Sequence, residues 1–382
     1  QFVGPRIWKI ASDHDLKTAG DFLEWRFGRD VRGVVASLLW LGTIAILAGQ
    51  LTALAWILNV VAGLDKTTGT IVGGVVATIY FSAGGLKSSA YVNAVQLTVK
   101  IVGFVVAVPL VLMKVGGFSA LHTATAVPES SWNFFSGGAS GIQYLALLAP
   151  AFVISPGLLQ KVYGARDASA VRWGVTINSL ALFALACFPP LLGLCARALH
   201  PGLENPELAL PTLFVNDLHP ALGALGLAAV VSAELSTADA VLFILATSLS
   251  KDLYKTFINK DADDGQVLKV ARFAALGGGI AGIYVAIKAA SVIGVLSIFY
   301  SMLSVCLFVP VILGLYVKSA DRTHALTAIF AGIVSFLLAH FTSAGKGYFG
   351  LTPPLIGLLI SAAAAMLALA IRPAAQPKEL TK

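Results

Sequence analysis

Charged side chains are scarce in this sequence: Asp, Glu, Lys and Arg make up 12% of the 382 residues, whereas apolar residues make up 57%. Soluble globular domains carry about 25% charged residues, so this composition excludes an ordinary soluble protein. Cysteine is also rare. Cys187, Cys195 and Cys306 lie in apolar stretches without metal-ligand spacing, and we expect them to be small buried thiols. The six histidines are scattered, which argues against a paired metal motif.

Long apolar runs make up most of the chain. A membrane helix needs about 20 apolar residues, and this length predicts an all-α polytopic membrane protein with a single transmembrane domain over residues 1–382. Residues 1–32 are read as a cytoplasmic entry segment and 372–382 as a tail. The ten candidate spans lie near 33–62, 68–84, 91–114, 141–161, 169–197, 221–250, 268–288, 291–317, 323–343 and 352–371.

The net charge of +7 could suggest a nucleic-acid partner, but the distribution of charge indicates otherwise. Most of the 26 Lys and Arg fall in loops on one side of the predicted spans, and Lys100 lies inside a span. Basic residues concentrate in cytoplasmic loops, so both termini are expected in the cytoplasm. The basic excess therefore reports membrane topology, with the lipid bilayer and no nucleic acid as partner.

The most polar span contains a short cluster of hydroxyl and carboxyl groups. Its members are Ser232, Glu234, Ser236, Thr237 and Asp239. Charged groups at membrane depth are costly and usually face a cavity or pathway. Ala233, Ser236 and Thr237 stand at i, i+3 and i+4, on one face of a helix. Two hydroxyls and a carbonyl without its intrahelical partner would form a neutral oxygen nest, which suits a small hard cation.

Other uses of the same cluster stay open. Ser and Thr in membrane helices often bond back to the carbonyl four residues earlier, or serve helix packing. Asp239, three residues after Ser236, is placed to orient that hydroxyl. An enzyme could use Glu234 and Asp239 as an acid pair, but five residues separate them by about 140° around a helix, so they cannot readily share one substrate atom.

Two further spans carry polar or helix-breaking residues. Asn93, Gln96 and Lys100 form a stripe at i, i+3 and i+7 that could line an exit path or bond between helices. In the fourth span, Pro150 and the pair Pro156-Gly157 interrupt about twenty residues. Short spans broken by Pro and Gly mark substrate sites in transporters, because the freed backbone groups become ligands. A plain proline kink is the alternative.

Several of these stretches together resemble the sodium/solute symporter family, which includes the proline, pantothenate and sodium/glucose transporters. The most specific piece is Ser236-Thr237-Ala238-Asp239 followed by Lys251-Asp-Leu-Tyr-Lys255. Four other segments agree in kind and order: Thr18 to Gly28, Gly84 to Gln96, Leu158 to Arg166, and Phe299 to Lys318.

The resemblance implies the inverted-repeat amino-acid-transporter (LeuT-type) fold, in which two five-helix repeats have opposite topology. Residues 33–114 would then be the last three helices of the first repeat. Residues 141–317 would form the second repeat, and 323–371 two extra C-terminal helices. The family's earlier helices, including its other broken helix, would be absent, so we expect about half of the family's sites in this chain.

The resemblance also implies roles for individual residues. The sodium ligands fall on the hydroxyls of Ser236 and Thr237 and the carbonyl of Ala233, and an acidic residue of the ion exit falls on Asn93, which is uncharged here. Ser232 and Asp239 would line the ion pathway or support the site. The solute region falls on Phe152, Ser155, Pro156, Gly157 and Gln160, with Tyr300 and Ser301 from the eighth span.

These observations lead to one expected function. The chain is expected to be a transporter and not an enzyme, importing a small polar solute with sodium across the plasma (inner) membrane by alternating access. Sodium is the coupling ion, and no organic cofactor is expected. A proton-coupled carrier that uses Glu234 or Asp239, and a membrane sensor derived from a transporter, remain the alternatives.

Overall fold

The computed structural model describes residues 2–133 and 135–371, without the side chains of 82–90, 139, 140 and 160. These residues form helices joined by short connections, as the apolar runs predict. The helices are α1 Val3–Asp13, α2 Ala19–Phe27, α3 Arg29–Ala62, α4 Lys66–Val115, α5 Gly117–Thr123, α6 Gly138–Val153, α7 Pro156–Tyr163, α8 Ala168–Leu185, α9 Phe188–Leu199, α10 Ala209–Asn216, α11 Pro220–Thr247, α12 Asp264–Lys288, α13 Val292–Leu303, α14 Val309–Tyr316, α15 Arg322–Thr342 and α16 Pro353–Ile371. Two π-helical segments, Ser248–Ile258 and Ser304–Phe308, continue α11 and α13.

Nine helical stretches within the described residues are long and apolar enough to cross a membrane. They are Arg29–Ala62, Tyr91–Val115, Gly141–Leu159, Ala168–Leu199, Pro220–Ile258, Asp264–Lys288, Val292–Tyr316, Arg322–Thr342 and Pro353–Ile371. Each matches a predicted span, so the all-α membrane class is confirmed. The tenth predicted span, 68–84, lies in the first part of α4.

The predicted spans 68–84 and 91–114 both lie in α4, which is one helix of 50 residues, so the interruption expected between them is absent. A straight helix of that length would measure about 75 Å, more than twice the hydrocarbon thickness of a bilayer. The contacts of α4 show instead that its axis reverses. Gly69 packs on Ala55 and Gly74 on Leu51, so the first part of α4 runs antiparallel to α3.

The second part of α4 runs the other way. Gly103 packs on Ala229, and Asn93 bonds to Asp239, so this part is antiparallel to α11. Helix α11 is itself antiparallel to α3, because Arg32 near the start of α3 meets Asp252 just beyond the end of α11. The two parts of α4 therefore run in opposite directions, and the bend lies between Tyr80 and Asn93. The chain thus reverses between the two predicted spans, but within a helical backbone.

Helix α3 lies at the centre of the described structure. In its most apolar stretch 67% of the residues are buried, against 17% in the stretch formed by α8 and α9. Small residues allow this close packing: Gly42 receives Met302 of α13, and Gly49 receives Leu296. The most polar span, α11, packs beside α3 and does not take the central position.

The entry segment that precedes α3 folds around a short helix. Thr18 caps α2, and its hydroxyl and the Asp21 carboxylate form a reciprocal capping box. Gly28, with a φ of 97°, ends the helix in a conformation that favours glycine. Arg26 is buried and donates to the carbonyls of Gly314, Val317 and Lys318 at the end of α14. Burial lowers the pKa of the Arg26 guanidinium from its usual value.

Two local predictions have different outcomes. The pair Pro189-Pro190 predicts a break in the fifth span, and the chain does leave the helix between Leu185 and Phe188. The expectation of three buried thiols is wrong for Cys187, which lies in this break and is exposed, whereas Cys195 and Cys306 are buried.

Candidate functional site

The predicted cation ligands lie side by side on α11. The hydroxyl of Thr237 donates to the carbonyl oxygen of Ala233 at 3.0 Å, and both residues, like Ser236, are half-buried. Helix α11 is regular from Pro220 to Thr247, so the expected carbonyl without an intrahelical partner is wrong. The Thr237 hydroxyl oxygen and the Ala233 carbonyl oxygen lie close together because residues four apart are neighbours on an intact helix. A hydroxyl that donates its proton keeps its lone pairs, so the Thr237 oxygen can still accept a cation.

A second set of polar residues connects α11 to α4. Asn93 donates from Nδ2 to Oδ2 of Asp239 at 3.4 Å, and Asp239 is only 5% exposed. Further along the two helices, Gly103 packs on Ala229. The antiparallel helices therefore keep the register set by Asn93 and Asp239 up to this contact. Stepping three residues along each helix places Gln96, 9% exposed, at the level of Ser236.

Four further residues along each helix place Lys100 at the level of Ser232. The stripe predicted on the third span therefore faces the polar face of α11. We call the six residues Asn93, Gln96, Lys100, Ser232, Ser236 and Asp239 the polar ladder. The pairs Lys100 with Ser232 and Gln96 with Ser236 lie beside the candidate cation ligands. The lowest step of the ladder is Asn93 with Asp239, which lies towards the end of α11 that carries the π-helical segment.

The interruption predicted in the fourth span is present. Helix α6 ends at Val153, α7 begins at Pro156, and Ile154 and Ser155 lie between the two helices. Proline at the first helical position has no N–H that would need a partner, so it starts α7 without loss of a hydrogen bond. Pro156 is buried, and Ser155 and Gly157 are half-buried. The side chain of Gln160, a predicted solute contact, lies outside the described part of the structure.

The structure brings together two of the predicted solute residues from distant parts of the chain. The rings of Phe152 on α6 and Tyr300 on α13 stack with centroids 5.3 Å apart and planes at 30°. Phe152 is 49% exposed, so one edge of this stack is open. Ser301 has a different environment, because its side chain is buried and its hydroxyl donates to the carbonyl of Ser297 at 2.6 Å.

Ser301 also borders a cavity that the sequence did not reveal. This space of about 260 Å³ lies between α6, α13, α15 and the start of α16, and its lining includes Gln143, Ser297, Phe336 and His340. Gln143 binds the backbone before α16, donating to the Gly350 carbonyl and accepting from the Thr352 N–H, each at 2.6 Å. The sequence signal for this cavity is weak, because the last two spans carry few polar residues and look purely structural.

An ion-pair network near the start of α3 is likewise absent from the sequence-based predictions. The Arg32 guanidinium contacts Glu24 and Asp252 at 2.6 Å each and Asp21 at 3.0 Å. These residues are separated by up to 231 positions in the chain, so sequence spacing could not reveal the cluster. The network joins α2, α3 and the π-helical segment after α11. We call Arg32, Asp21, Glu24 and Asp252 the Arg32 ion cluster.

The sequence of this chain is similar to those of known proteins. The family model described as the sodium:solute symporter family matches residues 4–332. The sodium/pantothenate symporter of Haemophilus influenzae is 26% identical over 353 residues, which cover 88% of this chain and 71% of that protein. High-affinity choline transporter 1 of Drosophila melanogaster is 25% identical over 349 residues, covering 87% of this chain and 55% of that protein.

A solved structure is similar throughout the chain. It is the substrate-bound outward-open state of a Na⁺-coupled sialic acid symporter, with a TM-score of 0.80 and 19% identity, covering 97% of this chain and 80% of that one. This likeness confirms the predicted LeuT-type fold. The family match covers most of the chain and confirms a sodium-coupled membrane transporter, not an enzyme. The chain belongs to the sodium:solute symporter family.

Proposed function

We propose that this chain imports a small polar solute with sodium across the plasma membrane by alternating access. We place the sodium between the Ala233 carbonyl and the hydroxyls of Ser236 and Thr237. The observation that carries this proposal is the contact between Thr237 and Ala233 on the half-buried face of α11. Neutral oxygen ligands suit a hard monovalent cation, and sodium would take the place of the Thr237 hydroxyl hydrogen bond at the carbonyl.

The polar ladder supplies a route for sodium release towards the cytoplasm. The family's acidic exit residue falls on Asn93, which cannot attract a cation by charge. Asp239 lies directly across from it, at 3.4 Å, and brings a carboxylate to the same place from α11. We propose that Asp239 attracts the departing ion in place of the missing acid on α4, with Ser232 lining the pathway.

The solute binds, in this account, where α6 and α7 separate. The backbone around Ser155 lies between the two helices, and Pro156 and Gly157 begin the second one. The stacked rings of Phe152 and Tyr300 form an aromatic wall beside the break. Ser301, whose hydroxyl already bonds within α13, would shape this region through Tyr300 and not through the solute itself.

Sodium-driven uptake tests the proposal. The full-length protein is reconstituted in liposomes and supplied with labelled pantothenate, choline or sialic acid, the solutes named for the relatives and the similar structure. A sodium gradient is expected to drive uptake of one solute class. Ser236→Ala with Thr237→Val should abolish that drive, and Phe152→Ala should raise the solute KM. Sodium-dependent uptake unchanged in the double variant would refute the ion site.

A proton-coupled carrier is the second candidate, and Glu234 favours it. This carboxyl group lies in α11 and forms no hydrogen bond or ion pair with a described residue. The same liposomes with a pH gradient and no sodium separate the candidates. Uptake driven by pH and lost in Glu234→Gln supports proton coupling, and uptake that requires sodium supports symport.

Membrane orientation belongs to the proposal as well. The basic loops predict that both ends of this chain face the cytoplasm. Ser131→Cys and Asp261→Cys, each placed in a background without the native cysteines, provide the test, because both positions are exposed between membrane-length helices. A membrane-impermeant thiol reagent applied to intact cells should label position 131 and leave 261 unlabelled. The reverse pattern would contradict the orientation.

A further inference from the structure

Lys100 lies near the middle of the membrane. It stands at the level of Ser232, which is twelve residues from the start of α11 and fifteen from its end. At 1.5 Å per residue these distances are about 18 Å and 22 Å, longer than a lysine side chain. The ammonium group therefore cannot reach either aqueous interface by extending along the helix, and lysine at this depth usually has a function.

The side chain of Lys100 projects towards α11. Seven residues make two helical turns, so Lys100 leaves α4 on the same side as Asn93, which bonds to Asp239. Ser232 and Asp239 are also seven residues apart and share one face of α11. Lys100 thus faces Ser232, and Ser236 is one helical turn further along the polar ladder.

The charges around Lys100 do not neutralise it. The side chain is half-buried and forms no hydrogen bond or ion pair with a described residue. Among the described residues, the positive charge of Lys161 on α7 repels it. Asp239 lies two turns away along the ladder, about 10 Å along the axis. Glu234 is close in sequence to Ser232, but two residues turn a helix by about 200°, which directs it to the other side.

We propose that Lys100 is a tethered cation that weakens sodium binding at the α11 site through its positive charge. The inference rests on the proposed sodium site. With sodium bound, the two positive charges repel in a medium of low dielectric constant, so the ammonium withdraws. Lys100 thus lowers sodium affinity and favours release of the ion.

Neutralising Lys100 tests this role directly. Lys100→Met keeps the length of the side chain without its charge, Lys100→Gln is a second neutral variant, and Lys100→Arg keeps the charge. The readout is the sodium concentration that gives half of the sodium-selective rise in melting temperature, measured against choline at equal ionic strength. Two unit charges about 10 Å apart at an effective dielectric constant of about 20 correspond to a change of roughly tenfold.

Both neutral variants should therefore bind sodium about tenfold more tightly, while Lys100→Arg stays close to the unmodified protein. Lys114→Met is the matched control, because Lys114 is an exposed lysine on the same helix, fourteen residues away. Unchanged or weaker sodium binding in both neutral variants overturns the proposal. If the unmodified protein shows no sodium shift, the proposed function fails as stated. The tethered cation is then supported if Lys100→Met gains a shift, and overturned if it does not.

Discussion

The hydroxyl of Thr237 donates to the carbonyl oxygen of Ala233 at 3.0 Å, so two of the three proposed sodium ligands are already in contact. The α-helix, through its i, i+4 spacing, is sufficient to hold them together. The site is thus preorganised on one helix, and sodium needs only to displace one hydroxyl hydrogen bond. This arrangement predicts that the hydroxyl oxygen matters and that the methyl group of Thr237 does not.

Thr237→Val removes that oxygen and keeps the shape of the side chain. We expect it to abolish the sodium-selective rise in melting temperature, while the melting temperature in choline changes little. Thr237→Ser is the matched control and should retain the shift, because it keeps the hydroxyl. Loss of the shift in both variants would show that packing at position 237, and not its oxygen, is what sodium binding requires.

Exchanging the residues of the lowest ladder step tests the release route. Asp239→Asn leaves two amides and no carboxylate, so sodium-driven uptake should fall at least about tenfold. Adding Asn93→Asp returns the carboxylate to the opposite helix, 3.4 Å away, and should restore most of the uptake. The account fails here if the exchanged pair is as inactive as Asp239→Asn alone while remaining folded.

The contacts of the Arg32 ion cluster predict the order in which substitutions lower the stability of the protein. Arg32 is nearly buried beside three carboxylates, so Arg32→Met leaves them unpaired and should lower the free energy of unfolding by about 3–5 kcal/mol. Asp252→Asn should cost less, about 1–3 kcal/mol, because Arg32 keeps Glu24 and Asp21. Melting temperatures in one detergent rank the variants. Equal losses would mean that Asp252 alone carries the interaction.

Helices α4 and α11 pack closely because Gly103 has no side chain. A methyl group at Gly103 would lie 2.5 Å from Cβ of Ala229 and 3.0 Å from the Leu225 carbonyl. Gly103→Ala should therefore separate the helices and cost about 1–3 kcal/mol of stability, together with weaker sodium binding.

Gly277→Ala is the matched control for this helix contact. Outside the adjoining backbone of α12, no described atom lies within 4 Å of a methyl group at that position, so the substitution should stabilise the helix by roughly 0.5–1 kcal/mol. A Gly103→Ala variant as stable as Gly277→Ala would contradict the packing of α4 on α11.

The membrane class and the contact between Thr237 and Ala233 on α11 can be predicted from the local sequence. Apolar run length locates the spans, and i, i+4 spacing alone places Thr237 over Ala233. Pro156 and Gly157 likewise predict the break between α6 and α7. In each of these places the outcome depends on residues that are close together in the chain.

Features that depend on distant contacts lie beyond such rules. Arg32 meets Asp252 across 220 positions, and the ladder register depends on how Gly103 packs against Ala229. The predicted spans 68–84 and 91–114 leave the bend of α4 between them, but the helical backbone continues through it, which the sequence does not predict. From the sequence, Phe152 and Tyr300 are expected only to belong to one solute region, and their stacking is not predicted.

The central claim is that sodium binds α11 through Ser236 and Thr237. Equilibrium binding of radioactive sodium to the purified full-length protein tests it most directly, beside the variant that carries Ser236→Ala and Thr237→Val. The account predicts saturable binding that unlabelled sodium displaces and potassium does not, and no saturable binding in the variant. Equal binding by both proteins, or none by the unmodified protein, would contradict it.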